Sequence, residues 1–131
     1  MVQAMHCIVV DDDDINRMLL KEVLDDLGYQ TSLFESGEEA LTYCKNNTPD
    51  FILLDYRMPN MNGLSFMQEL RKSAFHSLTP VIMCTAENDE KHFRTLIREG
   101  AQGYLIKPFM QKELIKQLHS LGLYIQQAAI N

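Results

Sequence analysis

Four short, unbroken apolar runs limit what this chain can fold into more than any other feature. They are "CIVV" (Cys7–Val10), "FILL" (Phe51–Leu54), "VIMC" (Val81–Cys84) and "GYLI" (Gly103–Ile106). None is long enough for a buried helix. None alternates polar with apolar, as a half-exposed strand would. Continuous aliphatic runs of this length suit strands covered on both faces. A fifth run, "TSLF" (Thr31–Phe34), is more polar and suits a sheet edge. Amphipathic stretches separate the runs. The first helix is predicted from about Asn16 to Leu27, with Ile15, Leu19, Val23 and Leu27 on one face and Gly28 as its stop. The second opens at Ser36, where Glu39 completes a capping box. The third follows Asn62–Gly63, with Leu64, Met67 and Leu70 at helical spacing. The fourth spans about Asp89 to Glu99, before Gly100. The fifth follows Pro108, with a stripe of Leu114, Leu118, Leu121 and Ile125 that Gly122 interrupts. Five alternations of strand and helix predict a doubly wound α/β domain: a five-stranded parallel sheet, right-handed crossovers and five helices.

The remaining sequence narrows the function. At 131 residues the chain suits one domain, and no apolar run reaches the length of a membrane span. No basic-then-apolar leader opens it, so the cytoplasm is the expected compartment. A formal charge of -6 disfavours direct contact with nucleic acid or anionic membrane. Cys7, Cys44 and Cys84 are far apart and read as reduced core thiols. His6, His76, His92 and His119 show no metal-ligand spacing and read as surface or core residues.

Polar residues stand at the ends of the runs. Asp11 and Asp12 follow the first, Asp55 the second, Thr85 the third, and Lys107 with Pro108 the fourth. In a parallel sheet these side chains converge on one edge, where open α/β sheets place their chemistry. A hard divalent cation such as Mg2+ would hold clustered carboxylates together, taking one or two of them plus water and phosphate oxygens. A lysine and a hydroxyl suit an anion's oxygens. A carboxylate can serve as a nucleophile that carries a phosphoryl group.

"VVDDDD", "LLDYRMPNMNG", "CTAEN" and "GYLIKPF" together resemble the response-regulator receiver domain (CheY-like) of two-component signalling. The resemblance runs from about Met5 to Leu121. It implies a flavodoxin-like strand order of 2-1-3-4-5, with a receiver domain over 1–124 and a tail or linker start over 125–131. It also implies that Asp55 is the phosphoacceptor. Asp11, Asp12, Asp55 and the backbone carbonyl of Arg57 would bind Mg2+. Thr85, Lys107 and the Ala86 amide would contact the phosphoryl oxygens, across a cis Lys107–Pro108 peptide. Thr85 and Tyr104 would form the switch, although a tyrosine in that strand could also simply pack. The implied partners are a histidine kinase or histidine phosphotransfer protein, and a downstream protein bound by the face of helix 4, the last strand (Gly103–Ile106) and helix 5. A phosphorylation-dependent homodimer is a further implied partner. The chain would not be an enzyme beyond assisting its own phosphorylation and dephosphorylation. The alternative is a phosphorylation-independent interaction module with this fold.

Other readings of the acidic run fail on particular residues. An EF-hand loop starting at Asp11 would have Ile15 at a ligand position and Asn16 where glycine is needed. Four aspartates would repel the phosphate of a bound flavin. A phosphatase of the haloacid-dehalogenase type needs an acid two residues beyond its nucleophile, where Arg57 stands. Asp14 is expected to cap the first helix. Asp13 either adds to the acidic field or faces water.

Overall fold

The computed structural model describes residues 4–124. Five parallel strands lie in the order β2-β1-β3-β4-β5. They are β1 (His6–Val10), β2 (Gln30–Phe34), β3 (Phe51–Asp55), β4 (Val81–Thr85) and β5 (Gly103–Ile106). The helices between and after them are α1 (Asp14–Asp26), α2 (Gly37–Cys44), α3 (Gly63–Arg71), α4 (Glu90–Arg98) and α5 (Gln111–Ser120). A short 3-10 turn, Ala74–His76, leads into β4. The doubly wound five-stranded sheet and its five helices are therefore as the sequence predicts.

Strand side chains alternate between the two faces, so each strand feeds two cores. Ile8, Val10, Ile52, Leu54, Val81 and Met83 pack with Phe66, Met67 and Leu70 of α3, Ala40 and Cys44 of α2, and Leu96 of α4. Cys7, Val9, Leu53, Ile82, Cys84 and Leu105 pack with Leu24 of α1 and with Leu114 and Leu118 of α5. Every residue of β3 and β4 is buried, as continuous apolar runs require. The edge strand β2 is only partly covered. All three cysteines are buried free thiols. No described helix is long and apolar enough to cross a membrane.

Helix 1 departs from its sequence expectation in two ways. Asp13, not Asp14, is its cap: the Asp13 backbone is extended, and its Oδ1 accepts the Ile15 amide at 3.0 Å. Asp14 instead lies in the first turn, ion-paired with Arg17. Second, Ile15 and Leu19 are 67% and 56% exposed rather than core-facing. Leu19 borders an open groove of about 550 Å³, together with Leu20, Val23, Pro108, Phe109 and Leu114. The buried contact of α1 falls on Leu24, a turn further along.

The other helix ends follow local chemistry. Ser36 Oγ accepts the Glu39 amide at 3.2 Å, while the Glu39 carboxylate reaches the Glu35 amide rather than that of Ser36. Asn62 Oδ1 accepts the Ser65 amide at 2.8 Å, and Asp89 Oδ1 accepts the Lys91 amide at 3.1 Å. At its far end α5 stops at Ser120, and Gly122 takes a left-handed φ of 73°. The Leu114–Leu118 stripe is buried, Leu121 is partly covered, and Ile125 lies outside the described residues.

The amino ends of the strands are tied by Arg71. Its guanidinium donates to the carbonyls of His76, Thr79 and Gly100 at 2.8, 2.8 and 2.6 Å, and to Gln102 Oε1 at 3.2 Å.

Candidate functional site

The parallel register sets the residues after each run side by side. Val10 pairs with Leu54, Asp55 with Cys84, and Thr85 with Ile106. Asp11 leaves β1 with its amide bonded to the Phe34 carbonyl at 3.1 Å. The chain ends of β1, β3, β4 and β5 thus open into one cleft of about 320 Å³. Asp11, Asp12, Asp55, Arg57, Thr85, Ala86 and Lys107 all line it. Beneath the loop after β3, Gly63 approaches so closely that a Cβ there would stand 2.8 Å from the Asp55 carbonyl oxygen. Glycine is what lets α3 start directly under the site.

Asp55 and Asp11 are buried, at 7% and 2% exposure, while Asp12 is open to solvent. Lys107 Nζ donates to Asp55 Oδ1 at 2.8 Å and lies 3.5 Å from Asp11 Oδ2. Burial pushes the Asp55 carboxyl up to about 6. The Lys107 bond opposes that rise, and the charges of Asp11 and Asp12 add to it. Near neutral pH Asp55 is therefore mainly a carboxylate, and a more basic one than a surface aspartate. For Lys107, burial disfavours the charged form, but the Asp55 bond and the two buried carboxylates outweigh it, so its pKa rises. The lysine is a fixed cation at the centre of the cleft.

Asp11 is held from both sides. Its Oδ1 accepts the Asp13 amide at 2.9 Å, and its carbonyl accepts from Arg17 at 2.6 Å. One oxygen from each of Asp11, Asp12 and Asp55 falls within 4.8 Å of the other two. Three hard oxygen donors at that spacing, with one carboxylate in contact with water, suit Mg2+ and differ from the nitrogen and sulfur donor sets usual for zinc or copper.

Arg57, which lines the cleft, pairs with Glu87, with Nη2 to Oε2 at 2.7 Å. Ala86 lines the cleft wall, and the Lys107–Pro108 peptide is cis. Thr85 Oγ1 accepts the Glu87 amide at 3.1 Å. Tyr104 is partly buried and stacks on Phe93 of α4, with centroids 4.1 Å apart and planes 8° from parallel. One residue that sequence reasoning passed over reaches this group. His92 of α4 places Nε2 3.1 Å from Thr85 Oγ1. No spacing pattern marks it, because the contact depends on how the loop after β4 folds back.

Comparison with known proteins agrees with this arrangement. Residues 7–119 match the family model described as response regulator receiver domain. The chain is 32% identical over 127 residues to a cyclic di-GMP phosphodiesterase response regulator of Xanthomonas campestris, covering 95% of this chain and 34% of that one. It superposes on the chemotaxis response regulator CheY4 of Vibrio cholerae with a TM-score of 0.86 at 30% identity, covering 91% and 99% of the two chains. A receiver domain of a Pseudomonas aeruginosa sensor histidine kinase, solved with magnesium coordinated in its active site cleft, matches with a TM-score of 0.82 at 27% identity, covering 92% and 99%. The chain spans between about a fifth and about a half of the length of the curated relatives it matches, 18% to 53%. With its strand order, its acidic cluster and a family match over nearly the whole described chain, the protein belongs to the response regulator receiver domains of two-component signalling.

Proposed function

We propose that Asp55 accepts a phosphoryl group from a phosphohistidine on a histidine kinase or histidine phosphotransfer protein. The observation that carries this reading is the buried Asp55 carboxylate, 2.8 Å from Lys107 and grouped with Asp11 and Asp12. An Asp55 oxygen attacks phosphorus, the P–N bond breaks, and the departing imidazole takes up a proton. Asp11, Asp12, Asp55 and the Arg57 carbonyl would hold Mg2+. When bound, that ion neutralises charge on the phosphoryl oxygens. Lys107 already sits on Asp55, so it can pass to a phosphoryl oxygen as the acyl phosphate forms. Thr85 Oγ1 and the Ala86 amide supply donors for the remaining oxygens. The phosphoryl group stays on Asp55 until water removes it as phosphate, so the chemistry is confined to the chain's own Asp55.

The output is a change of surface. As Thr85 is drawn toward the phosphoryl group, Tyr104 turns inward and leaves its stack on Phe93. The exposed face of α4, β5 and α5 then presents a different surface to a downstream protein or to a second copy of the chain. We assign residues 1–124 to this receiver unit and 125–131 to a tail or linker.

One incubation tests the assignment. With Mg2+ and acetyl phosphate, intact mass is expected to rise by one phosphoryl group, and Asp55→Asn is expected to abolish the gain. A gain that survives Asp55→Asn sinks the assignment. No gain from either acetyl phosphate or a phosphorylated kinase would leave the interaction-module reading in its place.

Because Arg57 lines the cleft and pairs with Glu87, we infer that the pair partly shields the phosphoryl group on Asp55 from water. Because the Arg57 side chain is 74% exposed, the pair is worth little energetically. Arg57→Ala is expected to shorten the phosphoryl lifetime by about two- to five-fold, the rate equivalent of such a pair. The measurement is loss of the phosphoryl mass after donor removal, and an unchanged decay would refute the shielding role.

A further inference from the structure

His92 occupies a position that phosphorylation has to disturb. Its side chain is only 9% exposed, so its ring nitrogens need partners. The ring packs edge-on against Tyr56, with centroids 4.7 Å apart and planes at 80°. Nε2 lies 3.1 Å from Thr85 Oγ1, and Nδ1 faces the Glu87 carboxylate at 3.9 Å. That carboxylate favours a proton on Nδ1, which leaves Nε2 as an acceptor. Thr85 Oγ1 already accepts the Glu87 amide at 3.1 Å, so its remaining need is somewhere to send its own proton. His92 Nε2 is that place.

We propose that His92 is a positioning residue that holds the Thr85 hydroxyl in its unphosphorylated geometry, and that breaking this bond couples the phosphorylation site to α4. The proposal rests on the phosphoacceptor reading of Asp55. Thr85 has one proton to donate. If it goes to a phosphoryl oxygen it must leave His92. His92 therefore competes with the phosphoryl group and biases the two-state equilibrium toward the inactive form. Its chain neighbour Phe93 carries the stack on Tyr104. Loss of the Thr85–His92 bond thus frees the start of α4 at the step in which Tyr104 must also move.

The test uses beryllofluoride with Mg2+ as the phosphoryl mimic, titrated by calorimetry into the full chain. His92→Leu removes the competing acceptor and is expected to tighten beryllofluoride binding about five-fold, the worth of one net hydrogen bond. His92→Gln, whose side-chain carbonyl can accept, is expected to restore the parent affinity. In a Thr85→Ala background His92→Leu is expected to change nothing. Nitrogen NMR of the ring in the unsubstituted chain supplies a readout that needs no variant to fold. Nε2 is expected to be the unprotonated nitrogen, and its signal is expected to shift when beryllofluoride binds. Binding by the parent that His92→Leu leaves equal or weaker would overturn the proposal alone. So would the same five-fold gain in the Thr85→Ala background, or an Nε2 that carries the proton. A parent chain that binds no beryllofluoride would overturn the phosphoacceptor reading and this proposal together.

Discussion

Replacing Lys107 with alanine is expected to slow phosphorylation of Asp55 by acetyl phosphate on the order of 100-fold, the usual cost of losing one donor aimed at a developing anion in a sheltered site. The argument is geometric. Lys107 Nζ is 2.8 Å from the Asp55 oxygen and 3.5 Å from Asp11, so under the proposed function it stands where a phosphoryl oxygen would arrive. It is the cation that balances two buried carboxylates, and water cannot fill the gap with an equivalent fixed charge. Its loss also removes the bond that opposes the rise of the Asp55 pKa, so the carboxylate would be protonated to a greater extent at a given pH. Both effects lower the rate. The rate of mass gain is the measurement, with thermal melting run alongside to show that the variant is folded. A folded Lys107→Ala chain phosphorylated within three-fold of the parent rate would remove Lys107 from the chemistry.

Arg71→Ala is expected to destabilise the domain by about 3 kcal/mol, as removing charged donors from several carbonyls does. The guanidinium joins the carbonyls of His76, Thr79 and Gly100 and the side chain of Gln102. These groups belong to the turn before β4 and the turn between α4 and β5. Neither turn has a regular ladder of its own to satisfy those oxygens, and burial already lowers the pKa of the guanidinium. Gln102 also bonds the Val81 amide at 2.7 Å, so the network reaches the start of a fully buried strand. A loss of this size should lower the melting temperature by about 10 °C. Urea unfolding checks it. A change below 1 kcal/mol would show that water replaces the guanidinium without cost. Phosphorylation of the folded variant should proceed at the parent rate, because Arg71 lies at the opposite end of the strands from Asp55.

Much of the site was legible in the chain because a parallel sheet converts sequence position into spatial position. Every strand runs the same way, so the residue after each apolar run falls on the same edge. Asp11, Asp55, Thr85 and Lys107 meet for that reason, and Asp12, Arg57 and Ala86 line the same cleft, while Tyr104 and Pro108 lie outside its lining. Local chemistry was legible where it involves neighbours, as at the Ser36 cap. It failed where two adjacent residues could perform one task. Asp13 and Asp14 are both competent caps, and only the extended backbone at Asp13 makes it the one that reaches the Ile15 amide. The pattern of Ile15 and Leu19 was helical in period, but period does not say what lies opposite. Leu19 borders an open groove and Ile15 belongs to neither core cluster, so both side chains stay exposed.

By itself, then, the sequence determined the strand–helix alternation, the sheet's membership and the carboxylates, lysine and hydroxyl at its edge. Each of these depends on hydrophobic burial and on periodicities that repeat over a few residues. Tertiary structure alone decided that Tyr104 stacks on Phe93 and that His92 Nε2 meets the Thr85 hydroxyl. Those pairs join loops and helix faces whose relative placement follows from how the whole core packs. A hydrogen bond of 3 Å depends on that placement to within fractions of an ångström, and no spacing along the chain encodes it.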